Sequence, residues 1–238
     1  ELFRYTWTNT INVNKDFANG HSLNAVAGME MFQGKWYTSN FTGYDLNSDM
    51  MQSPAGIGDK SGSSLFPPSI GGGRTMSNLM SFFAQASYSI ANKYNFSASL
   101  RHDTSSKFYE DNASATFWSV GASWLISSES WFDNAKWLNQ LKLRASYGTT
   151  GNQDGVSDFG TFDGYYNSSY NGESGYSHGQ LGNSELRWET SAQTNVGLDV
   201  SVLDSRVNVT FDFYNIKTKD LYMSKNISMT SGFSSILA

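Results

Sequence analysis

No cysteine occurs among the 238 residues, so thiolate metal sites, thiol nucleophiles and disulfide scaffolds are excluded together. Proline is scarce, with 3 residues, which removes the usual interrupter of long strands. Charged side chains make up 16% of the chain and balance to -5, leaving no basic stripe to displace counterions from phosphates. Nucleic acid is therefore not an expected partner. No apolar run approaches the roughly 18 residues that a membrane helix needs, and mean hydropathy is -0.43, so a helical membrane protein is excluded. A β-barrel is not, because only every second residue of its wall meets lipid. The chain opens at Glu1-Leu2-Phe3 without a basic and then apolar leader, so a signal peptide is expected to have been removed or to lie upstream. His21, His102 and His178 are scattered, with neither paired carboxylates nor a serine elbow around them, so no triad, zinc protease motif or enzyme activity is expected.

What the chain has instead is aromatics, 15% of all residues, and alternation of period two almost from end to end. Met80, Phe82, Ala84, Ala86, Tyr88 and Ile90 alternate with polar residues, Phe83 excepted. Tyr94, Phe96, Ala98 and Leu100 repeat the pattern after Ala91-Asn92-Lys93, which predicts a tight hairpin. The longest run joins Leu186 and Trp188 to Leu198, Val200 and Val202. A turn at Asp204-Ser205 then sets Val202 opposite Val207, Val200 opposite Val209 and Leu198 opposite Phe211.

Eight strands are predicted, at 4 to 14, 21 to 33, 79 to 90, 94 to 104, 114 to 126, 140 to 149, 185 to 203 and 206 to 216. Their connections alternate between short and long: 15 to 20, 34 to 78, 91 to 93, 105 to 113, 127 to 139, 150 to 184 and 204 to 205. Outer-membrane barrels demand such alternation, since their turns are short on the periplasmic side and long outside. By parity residues 127 to 139 are periplasmic, and they are expected to form a short helical turn with Trp131 and Trp137 near the interface. Tyr88 and Tyr94 flank one short turn, Trp124 and Trp131 another, and Trp188 and Tyr147 lie toward the opposite ends, as two aromatic girdles would require. Two competing architectures give the same alternation: a soluble sugar-binding β-sandwich, and a self-contained eight-stranded barrel acting as adhesin or anchor.

Several stretches carry a family resemblance. ASLRHDTSSKF (98 to 108) resembles "ASLRxDGSSxF", departing at His102 and Thr104. TFWSVGASWLI (116 to 126) resembles "FPSVSAGWRIS", and WLNQLKLRASYGTTGNQ (137 to 153) is close to "WLNxLKLRASYGxTGNQ". LRWETSAQTNVGLDV (186 to 200) resembles "LKWExTxQxNxGLD", and Phe213 to Leu221 with Gly232-Phe233 resembles "YYxKxTxDLL" followed by "TGFSSIL". HSLNAVAGME (21 to 30) is similar to "HxLxxLxGxE". These are the marks of SusC/RagA-like TonB-dependent outer-membrane transporters.

The resemblance implies an all-β fold: an antiparallel transmembrane segment of about eight strands from a barrel of about 22. It implies that residues 1 to 238 are part of such a barrel domain, with plug and C-terminal strands absent. It implies location in the outer membrane of a Gram-negative bacterium and active import of oligosaccharides or peptides. The partners it implies are a SusD-like surface lipoprotein, the TonB-ExbB-ExbD complex, outer-membrane lipid and the substrate itself; no cofactor is implied.

Two groups of residues are candidates for a site. Trp36 and Tyr37 in the first long connection, and Tyr165, Tyr166, Tyr170 and Tyr176 in the second, offer aromatic faces that stack on sugars or peptide side chains, or on neighbouring loops. Arg101, Lys142, Arg144, Arg187, Glu189, Asp199 and Asp212 are expected to face the lumen, where they steer substrate or pair across strands. Asp154, Asp158 and Asp163 lack the spacing of a calcium loop, and Gly71-Gly72-Gly73, with no helix after it, reads as a flexible loop and not as a phosphate cradle.

Overall fold

The computed structural model describes residues 1 to 44, 69 to 132 and 137 to 238. Alternating residues with almost no proline build one antiparallel sheet of eight long strands. These are β1 (Leu2–Phe17), β2 (His21–Thr42), β3 (Ser69–Ile90), β4 (Tyr94–Ser105), β5 (Ser114–Leu125), β6 (Leu138–Asn152), β9 (Glu189–Val202) and β10 (Val207–Lys219). Between β6 and β9 rises a separate hairpin, β7 (Gly164–Tyr170) with β8 (Glu173–Gln180). After β10 come two three-residue strands, β11 (Ser224–Asn226) and β12 (Ser235–Leu237), paired with each other.

The order in the large sheet is β1-β2-β3-β4-β5-β6-β9-β10, each strand beside its sequence neighbour once the small hairpin is set aside. Among the described residues β1 and β10 do not pair, so the sheet is an open arc and not a closed eight-stranded barrel. No second sheet covers its apolar face either: Ile11, Phe211 and Phe213 are each more than half exposed, which a sandwich would not leave so.

Register follows the hydrophobic pattern. Val202 pairs with Val207, Val200 with Val209 and Leu198 with Phe211. The turn between them is wider than the expected Asp204-Ser205, because Leu203, Asp204 and Ser205 all take positive φ and the strands resume only at Val207. Ala91 and Asn92 take the same left-handed conformation in the β3–β4 turn.

Two strands outrun their expected ends. β2 continues to Thr42 and β3 begins at Ser69, so Trp36 and Tyr37 stand on a strand, and Gly71, Gly72 and Gly73 pair with Asn40, Ser39 and Thr38. Neither segment is the loop expected between 34 and 78; of that loop, 45 to 68 lie outside the described residues. The reason is physical: a backbone ladder continuing into water needs no apolar side chains, so alternation stops before the strand does. In the connection 127 to 139, short 3-10 turns cover Ile126–Ser128 and Ser130–Phe132, while residues 133 to 136 lie outside the described residues. Trp131 and Trp137 flank those residues and are largely exposed.

The apolar face has a measurable belt. It runs from Leu23 to Met31 on β2 and from Met80 to Tyr88 on β3, about nine residues, close to the span that crosses hydrocarbon at a tilt. Polar pairs on the same face close its loop end: Gln33 donates to Asn78 at 2.7 Å, His102 lies 2.9 Å from Thr116, and Thr104 lies 2.8 Å from Ser114. At the turn end His21 meets the Tyr88 hydroxyl at 3.0 Å and Tyr94 stacks on Trp124.

Candidate functional site

Polar alternate residues of the eight strands fall on the face opposite the belt, and their charges are tied to one another. Arg101 on β4 reaches Asp103 at 2.8 Å on its own strand, Glu30 at 3.2 Å on β2 and the Ser81 hydroxyl at 2.8 Å on β3. Three strands are thereby clamped by one guanidinium. Nearer the turn end, Arg144 on β6 grips Asp199 of β9 with two bonds, 2.8 and 2.9 Å, and continues to Asp212 of β10 at 3.1 Å. Gly197 is the residue opposite both Arg144 and Asp212; a Cβ there would come within 2.7 Å of the guanidinium, so the bare backbone is what lets Arg144 cross β9. Lys142 stands opposite Asp199 in the register and adds a second cation to that group. Gly28 serves Phe83 in the same way, its missing Cβ leaving room for the ring beneath Arg101.

Glu189 begins β9 and accepts from the Asn152 amide at 3.4 Å. Arg187 does not join this ladder. The strand starts at Glu189, later than expected, and residues 186 to 188 turn inward so that Leu186 and Trp188 are buried and Arg187 is left exposed outside the strand. Trp188 is accordingly not an interfacial aromatic; Trp118, 5.3 Å from Tyr147, takes its place at the loop end of the belt.

The one buried core of the described residues sits at that loop end. Phe108, Phe117, Val156, Leu186 and Trp188 are buried together, with Leu79, Tyr222 and Leu237 packed against them. Phe117 meets the Trp188 ring edge-on at 5.7 Å, and the indole donates to the Ala113 carbonyl at 3.1 Å. Polar ties join the same segments: Lys107 to the Val156 carbonyl at 2.9 Å, Asn183 to the Leu237 carbonyl at 2.8 Å, and Ser105 to Gln153. The Tyr222 hydroxyl lies 3.0 and 2.9 Å from the carbonyls of Asn152 and Arg187 and accepts from the Glu189 amide at 3.1 Å. Burial raises its pKa above the usual tyrosine range and keeps it protonated for that role. Three connections, after β4, β6 and β10, are thus welded into one platform.

From this platform the β7–β8 hairpin projects. Tyr170 and Tyr176 are 88% and 80% exposed, while Tyr165 meets His178 at a tilt, ring centres 4.4 Å apart, and Tyr166 lies over Gly179. His178 continues to Phe233 at 5.7 Å, tying the hairpin to the segment between β11 and β12. Trp36 and Tyr37 lie far along the arc on β2, beneath cations of their own, Arg4 at 5.1 Å and Arg74 at 5.3 Å. The two aromatic groups are therefore separate, and alternate parity sends Trp36 to the polar face and Tyr37 to the other. Asp163 is spent on the Gly182 amide at 2.9 Å, closing the foot of the hairpin.

At the turn end a residue not singled out by the sequence reading organises the β4–β5 side. Glu129 accepts from the Tyr94 hydroxyl at 2.6 Å, from the Trp124 indole at 3.1 Å and from Lys93 at 3.3 Å. The Tyr94 bond, then the Trp124 bond, holds its carboxyl below the usual range. Its sequence signal was a carboxylate in a turn-end connection close to two aromatics, Tyr94 and Trp124, that flank the turns.

Comparison with known proteins places these features in a family. A model of the TonB dependent receptor-like β-barrel matches residues 2–235. TonB-dependent receptor P39 of Formosa agariphila is 35% identical over 233 residues, which is 97% of this chain and 22% of that protein. TonB-dependent receptor SusC of Bacteroides thetaiotaomicron is 35% identical over 67% of this chain and 17% of its own length. The chain thus spans about a fifth of the curated relatives it matches. A solved structure of the RagAB peptide transporter superposes with TM-score 0.88 and 26% identity, covering 99% of this chain and 26% of that one.

Proposed function

This chain belongs to the TonB-dependent receptor β-barrel family, and from that membership we propose that it forms about eight strands of the wall of a larger barrel, of about 22 strands, that imports nutrients across the outer membrane of a Gram-negative bacterium. The observation that carries the reading is the open arc itself. One face bears an uncovered apolar belt of membrane height, the other polar residues with ion pairs that cross between strands, and the two edges, at β1 and β10, are left unpaired among the described residues. Hydrocarbon satisfies the first face and a watery lumen the second. The pairs around Arg101 and Arg144 compensate charge across strands on a hydrated lumen wall suited to polar solute.

Import of this kind draws on a plug moved by the TonB-ExbB-ExbD complex, and a SusD-like lipoprotein meets the loop end, where the welded platform supplies a rigid rim. The substrates are oligosaccharides or peptides; likeness to the RagAB peptide transporter favours peptides. The test is uptake of labelled peptides and labelled oligosaccharides by cells carrying the full-length protein, with and without a protonophore. Uptake of one class that stops when the gradient collapses is expected; uptake indifferent to the gradient, or none of either class, overturns active import of these nutrients.

A further inference from the structure

Carboxylates on the eight strands are confined to one face, whereas cations stand on both. Every strand carboxylate, Asp16, Glu30, Asp103, Glu189, Asp199 and Asp212, stands on the polar face by register. The charges on the belt side are all cations: Lys15 near a turn, and Lys35, Arg74, Lys217 and Lys219 above the belt at the loop end. Lys35 lies one rung beyond the Gln33–Asn78 pair that closes the belt, and Arg74 one rung further, opposite Tyr37. Lys217 and Lys219 repeat the arrangement on β10, beyond Asn215. None of these four forms an ion pair among the described residues, in contrast to Arg101 and Arg144 on the other face. Glu1, which exchanges backbone bonds with Tyr37, and Asp220, which follows Lys219 in the chain, are the nearby carboxylates, and among the described residues no ion pair joins either of them to these cations.

Unpaired cations just beyond a hydrocarbon belt, on the side that faces lipid, stand at headgroup height, and their long apolar stems lie along the wall while the charged ends reach outward. The Arg74 guanidinium lies over the Tyr37 ring, 5.3 Å from its centre, and no hydrogen bond among the described residues occupies its N–H groups, which can grip an oxyanion in two-point fashion. Lys35, two residues before Tyr37 on the same face, adds a compact point charge beside it. We infer that Lys35 with Arg74, and Lys217 with Lys219, form a basic collar that seats the phosphate groups of anionic lipid headgroups in the leaflet on the loop side. Charge complementarity and continuity with the belt select a lipid: a free anion would gain nothing from the apolar surface directly below. The collar fixes the height of the barrel in the membrane and keeps the loop platform clear of the bilayer. The inference rests on the transmembrane reading of the belt.

The experiment uses the full-length barrel in detergent, with dioctanoyl phosphatidic acid as probe and native mass spectrometry as readout. Replacing Lys35, Arg74, Lys217 and Lys219 with Gln is expected to lower retained lipid about tenfold or more, as loss of roughly one kcal/mol per cation near a surface implies. Lys35→Arg with Lys217→Arg is expected to keep it. Equal retention by the Gln variant overturns the collar, as does equal retention of dioctanoylglycerol, which lacks the phosphate. Displacement by inorganic phosphate at matched concentration overturns the lipid assignment in favour of a free anion. Heat-modifiable migration verifies that each variant has closed its barrel. A fluorophore at Val120, read against brominated acyl chains, separates the two failures: an unquenched label sinks the membrane reading, whereas a quenched label with phosphate-independent retention sinks the collar alone.

Discussion

The two ends of the wall are built on different principles. At the turn end, the β3–β4 and β9–β10 reversals take only a few residues of left-handed backbone, at Ala91 and Asn92 and at Leu203, Asp204 and Ser205, and almost nothing is buried. Order there comes from the hydrogen-bond ladder and from local pins such as Glu129. At the loop end, three distant connections converge on Phe108, Phe117, Val156, Leu186 and Trp188 and bury them as a soluble protein would. The difference follows from solvent. A belt in hydrocarbon gains little from packing apolar groups on each other, since lipid already satisfies them, whereas loops in water stay ordered only by excluding water from a core of their own.

That contrast breaks most sharply at Trp188. Trp188→Ala removes a buried indole and its bond to Ala113, and is expected to cost about 3 to 5 kcal/mol of loop-platform stability. Limited proteolysis should then cut within 153 to 188 while the barrel still migrates as folded. Loss of barrel migration with the loops intact would show that the two ends are not separable.

Next in size, Leu198→Arg on the belt is expected to cost about 2 to 4 kcal/mol in refolding into vesicles, and Asn195→Arg on the polar face far less. Equal costs at these positions would mean that the faces are misassigned. A smaller effect is expected within the ladder. Asp212→Asn leaves Arg144 its two bonds to Asp199, so the cost should be below about 1 kcal/mol, as for a partly exposed pair. A large loss in the same assay would show that the outer bond to β10 matters more than the inner one.

The smallest effect is visible only in acid. Because Glu129 is held below the ordinary carboxylate range, the unfolded chain takes up its proton first as pH falls. The contribution of Glu129 is therefore present above the ordinary range and lost as pH drops through its lowered value. Glu129→Gln should flatten that part of the stability profile, followed by denaturant midpoint between neutral pH and pH of about 3. A slope unchanged by the substitution would remove Glu129 as the pin of the turn end.

Much of the belt was legible because burial on one side leaves a period of two in the chain. Strand positions, the β3–β4 hairpin and the pairing of Val202 with Val207 all follow from it. The β7–β8 hairpin, inside a stretch read as loop, was announced only by Asn171-Gly172, whose positive φ values of 51 and 86 are what that dipeptide supplies at a tight turn. Leu186 and Trp188 misled for a different reason: both continue the alternation of β9, yet the backbone leaves the ladder before Glu189 and the pattern does not record it. Phe108 and Val156 carry no period at all, since their neighbours come from other loops.

Sequence by itself determined which side of each strand is apolar, how long the belt is and that its hairpins alternate between short and long. Those are local properties, set by side-chain order along one strand and by turn residues next to it. Only the tertiary structure decided that the sheet stays open between β1 and β10, that Arg101 and Arg144 each bind across three strands, and that Trp188 belongs to a core. Each of these depends on residues far apart in the chain meeting in space, and no periodicity along one segment encodes such a meeting.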